Sequence, residues 1–312
     1  MPHRIDPEQR AATARRDAEA AKLPPVTTTE PLGPSRVINE QLAMLYGQGG
    51  PAMAETREYW LPIRGRRMQV RVHKPTLGTK LPVLVWFHGG GWVFQSIDSH
   101  DRLVREIAAA AGCAAVSVDY SLAPESRFPQ PLLECADAVR ALAETDWGLD
   151  TSRIALGGDS AGGNLALAAA VHLRDAGGPK LRAILTPYPV TDADFTSPSY
   201  TEFAEGFGLT RAGMAAYWDL YCSHLADRLN PLAAPLRADC AGMPPTLIQL
   251  AELDVLRSDG ERMAAKMRAA GVDVTLTVYP GMLHGFVRLT EVVGKARDAV
   301  AEAGAWLKGK LA

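Results

Sequence analysis

Residues 153–165 read Arg-Ile-Ala-Leu-Gly-Gly-Asp-Ser-Ala-Gly-Gly-Asn-Leu, and this stretch decides the fold. Arg153–Gly157 is a short apolar run of strand character, and Leu165–Leu173 beyond the glycines has helical character. Between them Gly158, Ser160 and Gly162 form G-x-S-x-G at a junction of strand, sharp turn and helix. So tight a turn holds Ser160 in a strained backbone conformation. Side chains at Gly158 and Gly162 would collide with the neighbouring strand and helix. The helix N-terminus directs positive potential at the same point. The competing readings are a plain glycine-rich turn and a phosphate cradle. A phosphate loop would carry a lysine near its end, and none is present. The pattern points to Ser160 as a nucleophile.

On either side, short runs rich in Val, Ile and Leu recur: Pro82–Phe87, Ala114–Asp119, Arg182–Pro187, Thr246–Ala251 and Val274–Tyr279. Most alternate with helical segments, namely Ser99–Ala111, Gln130–Thr145, Ala161–Ala176, Ser258–Ala270 and Leu289–Lys308. Strands without polar alternation, separated by amphipathic helices, predict an α/β fold with a mostly parallel central sheet flanked by helices. Glu58–Ile63 and Arg67–His73 alternate around Gly65 and predict a hairpin at the sheet edge. Residues 1–22 read as a helix broken by Pro24, Pro25, Pro31 and Pro34, with a second short helix over Val37–Tyr46. Between Thr191 and Pro244 only the helix-like Thr210–Ala226 interrupts turn residues. The expected organisation is an N-terminal cap segment (1–50), a first core part (51–190), a cap insertion with return to the core (191–244) and a second core part (245–312).

Composition limits the function. The 312 residues are 47% apolar and 22% charged, ordinary for a folded chain, and 33 basic against 35 acidic side chains give a net charge of −2. Such a balance offers nucleic acid or anionic lipid no electrostatic footprint. No apolar run is long enough for a membrane span, and the charged first twenty residues lack the core of a secretory signal, so a cytoplasmic location is expected. Cys113, Cys135, Cys222 and Cys240 are scattered without a C-x-x-C pair, and read as buried hydrophobes of a reducing compartment rather than as metal ligands.

A serine nucleophile needs donors where a carbonyl oxygen becomes negative. Pro82–Phe87 ends in His88-Gly89-Gly90-Gly91-Trp92, whose glycines let backbone amides converge. The amides of Gly90, Gly91 and Ala161 are the expected oxyanion hole, with His88 and Gly89 supporting the loop. The expected base is His284, in the loop after the last strand. His172 lies within a helix, His224 in the insertion, and His3 and His73 precede the catalytic strands, while His88 suits bracing its own loop. For the acid, Glu252, Asp254 and Asp259 compete. Ser258 and Glu261 look like a capping box, which gives Asp259 a place in a helix's first turn without catalysis. Asp254 is the preferred acid and Glu252 the fallback.

These residues resemble the bacterial hormone-sensitive-lipase-like esterases (GDXG type) of the α/β-hydrolase superfamily. The resemblance runs from about Pro82 onward. It rests on His88-Gly89-Gly90-Gly91-Trp92, Asp119-Tyr120-Ser121-Leu122-Ala123-Pro124-Glu125, Gly158-Asp159-Ser160-Ala161-Gly162-Gly163, Asp254-Val255-Leu256-Arg257 and His284-Gly285-Phe286. It implies an α/β-hydrolase fold with a helical cap and a carboxylesterase acting on short- to medium-chain acyl esters, without cofactor or metal. It also implies that Glu125 and Asp159 brace the loops, and that a homodimer could form through the edge strand Val274–Tyr279. Trp92, Ser121 and Val255 depart from the family's commoner Phe, Arg and Pro. Trp92, Phe207, Leu209, Trp218 and Phe286 are the candidate substrate-pocket residues. An amidase, lactonase or deacetylase with the same triad, or a non-catalytic small-molecule receptor, are the alternatives.

Overall fold

The computed structural model describes residues 4–312; Met1–His3, with which the expected N-terminal helix begins, lie outside the described residues. Eight strands form one sheet: β1 (Glu55–Ile63), β2 (Arg66–Lys74), β3 (Leu81–Phe87), β4 (Ala114–Val118), β5 (Leu149–Gly158), β6 (Leu181–Pro187), β7 (Thr246–Leu253) and β8 (Val274–Leu283). Their order is β1-β2-β4-β3-β5-β6-β7-β8. Only β2 runs against its neighbours, pairing antiparallel with β1 and β4. The β1–β2 turn needs two left-handed residues, which Arg64 (φ 47°) and Gly65 (φ 80°) provide.

The helices are α1 (Pro7–Ala20), α2 (Gly33–Ala43), α3 (Asp101–Ala111), α4 (Gln130–Ala143), α5 (Ala161–Asp175), α6 (Pro198–Glu202), α7 (Arg211–Tyr221), α8 (Arg257–Ala269) and α9 (Gly294–Leu311). Side-chain alternation along β3 sorts them to two faces. Val83, Val85 and Phe87 join the core packed by Leu132 of α4, Leu165 of α5 and Met263 of α8. Leu84 and Trp86 join the core packed by Ile107 of α3 and Leu307 of α9. Both faces are therefore covered.

Several bounds differ from expectation for local reasons. Pro34 does not stop a helix: it sits in the first turn of α2, where its missing N–H costs nothing, so α2 starts and ends earlier than Val37–Tyr46. Thr210 caps α7 by accepting from Gly213 N at 3.0 Å, but Cys222 is already extended, so the helix stops well short of Ala226. The last helix begins at Gly294, because Phe286–Arg288 forms a 3-10 turn instead. The short α6 escaped a reading based on periodicity. β8 continues past Pro280 to Leu283, with a register shift against β7, and so delivers His284 at the strand's end.

Candidate active site

The chain leaves β5 and enters α5 through Ser160, whose φ of 56° and ψ of −120° are strained for a residue with a side chain. Conformations of this kind cost about 1–3 kcal/mol and persist only where the surroundings enforce them. Here the enforcement is steric. A Cβ at Gly162 would stand 1.9 Å from Phe87 O, and one at Gly158 would stand 2.4 Å from Gly162 O. The Ser160 amide donates to Pro187 O at 3.0 Å, fixing the turn against the end of β6.

Ser160 Oγ donates to His284 Nε2 at 2.9 Å, and His284 Nδ1 donates to Asp254 Oδ2 at 2.7 Å. The other oxygen of Asp254 accepts from Leu256 N at 3.0 Å, so the buried carboxylate is fixed at both ends. The ring of Tyr188 lies 4.6 Å from that of His284 and restricts its tilt. A hydroxyl, an imidazole and a carboxylate spaced 124 and 30 residues apart thus form one continuous relay.

The rival carboxylates have other work. Glu252 accepts from Gly281 N at 2.6 Å, holding the irregular part of β8. Asp259 is fully buried and accepts from Thr191 N and Asp192 N at 2.9 and 3.2 Å, tying the chain after β6 to α8. Burial pushes its carboxyl up to about 7, against the pull of those two amides. Its role is therefore more than a charge at a helix start. The expected capping box does not form, since Ser258 Oγ accepts from Ser199 N and Glu261 pairs with Arg257.

Gly90 (φ 110°) and Gly91 (φ 63°) turn the loop after β3 beside Ser160. The amides of Gly90, Gly91 and Ala161 donate to no protein acceptor among the described residues. His88 faces away from the relay: its Nδ1 donates to Gly89 O at 2.7 Å, and its ring stacks on Tyr120. Burial, with His100 adding to it, pushes His88 down to about 3, which keeps it neutral. Gly89 N donates to Asp159 Oδ1 at 3.1 Å, and His100 Nε2 lies 3.1 Å from the same oxygen. Burial alone would raise the Asp159 carboxyl, but the His100 and Arg288 charges beside it bring it down to about 2. Asp159 thus braces the glycine loop as a carboxylate. Glu125 instead holds α2 to the core, through two bonds from Arg36 at 2.7 and 2.6 Å.

A cavity of about 380 Å³ opens on Ser160 and His284. Of the expected pocket residues, Leu209 lines it and the others do not. Trp92 and Trp218 are fully buried and pack with Tyr221, Trp92 lying parallel to that ring at 4.3 Å. Phe286 is buried against Tyr188 and Tyr279, and Phe207 packs on Phe203. Trp92, Trp218 and Phe286 are drawn into the core, while Phe207 stays partly buried at its margin. Much of the rest of the wall comes from residues the sequence did not single out, including Gln9, Asn39, Tyr217 and Arg288. Tyr217 lies so close that a Cβ on Gly91 would stand 2.7 Å from its ring. No group of metal-ligating side chains occurs among the described residues.

A family model described as the alpha/beta hydrolase fold matches residues 84–288, and the chain belongs to that family. Among named relatives, the chain is 38% identical over 297 residues to carboxylesterase NlhH of Mycobacterium tuberculosis, covering 93% of this chain and 88% of that protein. It is 33% identical over 290 residues to an ethyl acetate hydrolase of Pseudomonas putida, covering 90% and 91%. Among solved structures, a thermostable esterase from Pseudomonas putida ECU1011 superposes with a TM-score of 0.91 at 35% identity, over 100% of this chain and 99% of that one.

Proposed function

We propose that this chain is a serine carboxylesterase that hydrolyses short- to medium-chain acyl esters through an acyl-enzyme. The observation that carries the reading is the Ser160–His284–Asp254 relay set beside three backbone amides with no protein acceptor. His284 takes the proton from Ser160 as Oγ attacks the acyl carbon. Asp254 holds the Nδ1–H tautomer and stabilises the imidazolium that forms. The Gly90, Gly91 and Ala161 amides receive the oxyanion. His284 then protonates the leaving alcohol, and water repeats the sequence to free the acid.

A 380 Å³ cavity suits small esters better than long acyl chains. The carboxylesterase and ethyl acetate hydrolase relatives favour an ester over an amide or lactone as substrate. The intact serine and histidine argue against a non-catalytic receptor. We further assign α1, α2 and the 191–244 segment as a cap over the core, supported by Gln9, Asn39 and Leu209 in the cavity wall. Four buried, unpaired cysteines support a cytoplasmic protein, and no described helix is long and apolar enough to cross a membrane. The near-neutral charge argues against nucleic-acid partners, and β8, lying at the sheet edge, is the surface for a homodimer.

The test is a series of p-nitrophenyl esters of increasing acyl length, compared between wild type and Ser160→Ala. The expected result is hydrolysis peaking at short or medium length and lost in the variant. Equal rates in the two proteins would refute the reading.

A further inference from the structure

Tyr188 is the first residue beyond β6, and its φ of 35° lies in the left-handed region, where a bulky side chain is an outlier. Strain of this kind persists only where the surroundings impose it, and it gathers at working sites. Here the strained residue and its neighbours are all tied to the relay. Pro187 O accepts from Ser160 N at 3.0 Å and Val190 N donates to Ser160 O at 3.3 Å, so both backbone polar groups of the nucleophile are bonded to this segment. Tyr188 N donates to Gln249 O at 2.6 Å, on β7, the strand that leads to Asp254. The Tyr188 ring meanwhile packs on His284 at 4.6 Å between centroids, and on Phe286 at 5.9 Å. Residues 187–190 therefore meet the nucleophile, the base and the strand that delivers the acid.

Tyr188 is fully buried and is not part of the cavity wall, so it does not meet substrate. Its hydroxyl is buried without a hydrogen-bond partner among the described residues, so the ring is what the position uses. His284 is bonded to Ser160 at 2.9 Å and to Asp254 at 2.7 Å, which leaves the imidazole free to tilt about the line through its two nitrogens. A ring packed against it removes that freedom.

We propose that Tyr188 is a positioning residue of the reaction: segment 187–190 is the jig that registers Ser160 against His284, and the left-handed turn at Tyr188 aims its ring at the base while its amide stays on β7. The inference rests on the esterase reading above and deepens it. In acylation His284 takes the Oγ proton and gives it to the leaving alcohol. In deacylation it takes a proton from water and returns it to Oγ. A tilt of the ring lengthens every one of these transfers, and misplacing a reacting group by about 1 Å can cost about a hundredfold in rate. Substrate binding does not use the ring, so its loss falls on kcat and spares KM.

The experiment compares Tyr188→Leu, which stays apolar but removes the ring, with Tyr188→Phe, which keeps the ring and removes the unpaired hydroxyl. On p-nitrophenyl butanoate the leucine variant is expected to lose about ten- to a hundredfold in kcat with KM within about twofold, and phenylalanine to rescue kcat to within about threefold of wild type. Proton NMR gives a second readout. The Nδ1–H of His284, protected by its bond to Asp254, should appear as a downfield resonance in wild type and in Tyr188→Phe, and be broadened by exchange in Tyr188→Leu. Circular dichroism melts establish that each variant is folded, and Tyr188→Met takes the place of a leucine variant that is not. A folded leucine or methionine variant with wild-type kcat overturns the inference, as does a loss confined to KM or a phenylalanine variant equally impaired. A wild-type spectrum without the downfield resonance overturns it whatever the variants do. Wild-type protein inert toward p-nitrophenyl esters would instead remove the esterase reading and this inference with it.

Discussion

Replacing Gly90 with alanine perturbs the proposed oxyanion loop without touching the relay. Gly90 has φ 110°, a region closed to residues with a Cβ, and an added Cβ would stand 2.1 Å from Phe94 O and 2.7 Å from its carbonyl carbon. The obstacle is backbone, and it is tied down because Val93 N and Phe94 N both donate to Gly90 O, at 3.1 and 2.9 Å. Real Cβ contacts do not fall below 3.0 Å, so one partner must move by about 1 Å, and the Gly90 amide moves with it. Loss of one oxyanion donor typically lowers kcat by about a hundred- to a thousandfold. The control is Gly78→Ala, which imposes a similar backbone strain (φ 91°) in open space between β2 and β3. It should cost about 1–2 kcal/mol of stability and leave kcat unchanged. Saturating kinetics on p-nitrophenyl butanoate, with circular dichroism melts of both variants, separate strain from lost chemistry. A folded Gly90→Ala protein with wild-type kcat would refute the assignment of that amide.

Asp254→Asn should lower kcat by about ten-thousandfold with the fold intact, since Leu256 N still finds an acceptor while His284 loses its tautomer control. Glu252→Gln, which keeps an acceptor for Gly281 N, should stay within about tenfold of wild type; the same kinetics check both. Asp259 keeps its proton up to about pH 7 when folded but releases it near 3.8 when unfolded. Across that interval the folded state binds more protons, so this group's contribution makes stability fall as pH rises. Asp259→Asn can keep both backbone bonds and does not titrate. Denaturant melts should show it gaining on wild type from pH 4 to 7, by at most about 4 kcal/mol, then levelling off. In the proposed mechanism the nucleophile, base and oxyanion donors all belong to the chain, so dialysis against EDTA should leave kcat unchanged.

The strands and the order of chemical motifs were legible because each carries a local signal. β3 to β8 are apolar runs between turn residues, and the turn around Ser160 needs glycine on both sides for steric reasons visible in the spacing. The choice of Asp254 over Glu252 and Asp259 followed from position within one loop, and Asp254 is the one whose carboxylate bonds His284. What the sequence concealed depends on long-range packing. Trp92 and Phe286 lie beside catalytic motifs and Trp218 within the 191–244 segment, yet burial rather than position decides where such side chains go. Gln9, Asn39 and Arg288 reach the cavity only because α1, α2 and the turn after β8 converge on it. Neither periodicity nor spacing encodes that convergence. Pro34 shows the same limit at short range, since a proline reads alike whether it ends one helix or opens another.

The central claim is that Ser160 alone is the residue acylated by substrate. Treating the protein with a p-nitrophenyl alkylphosphonate and mapping the adduct by peptide mass spectrometry tests it directly. The account predicts one adduct per chain, on the peptide containing Ser160, forming in step with loss of ester hydrolysis and absent from His284→Ala. Stoichiometric labelling elsewhere, or full hydrolysis by protein labelled at Ser160, would contradict it.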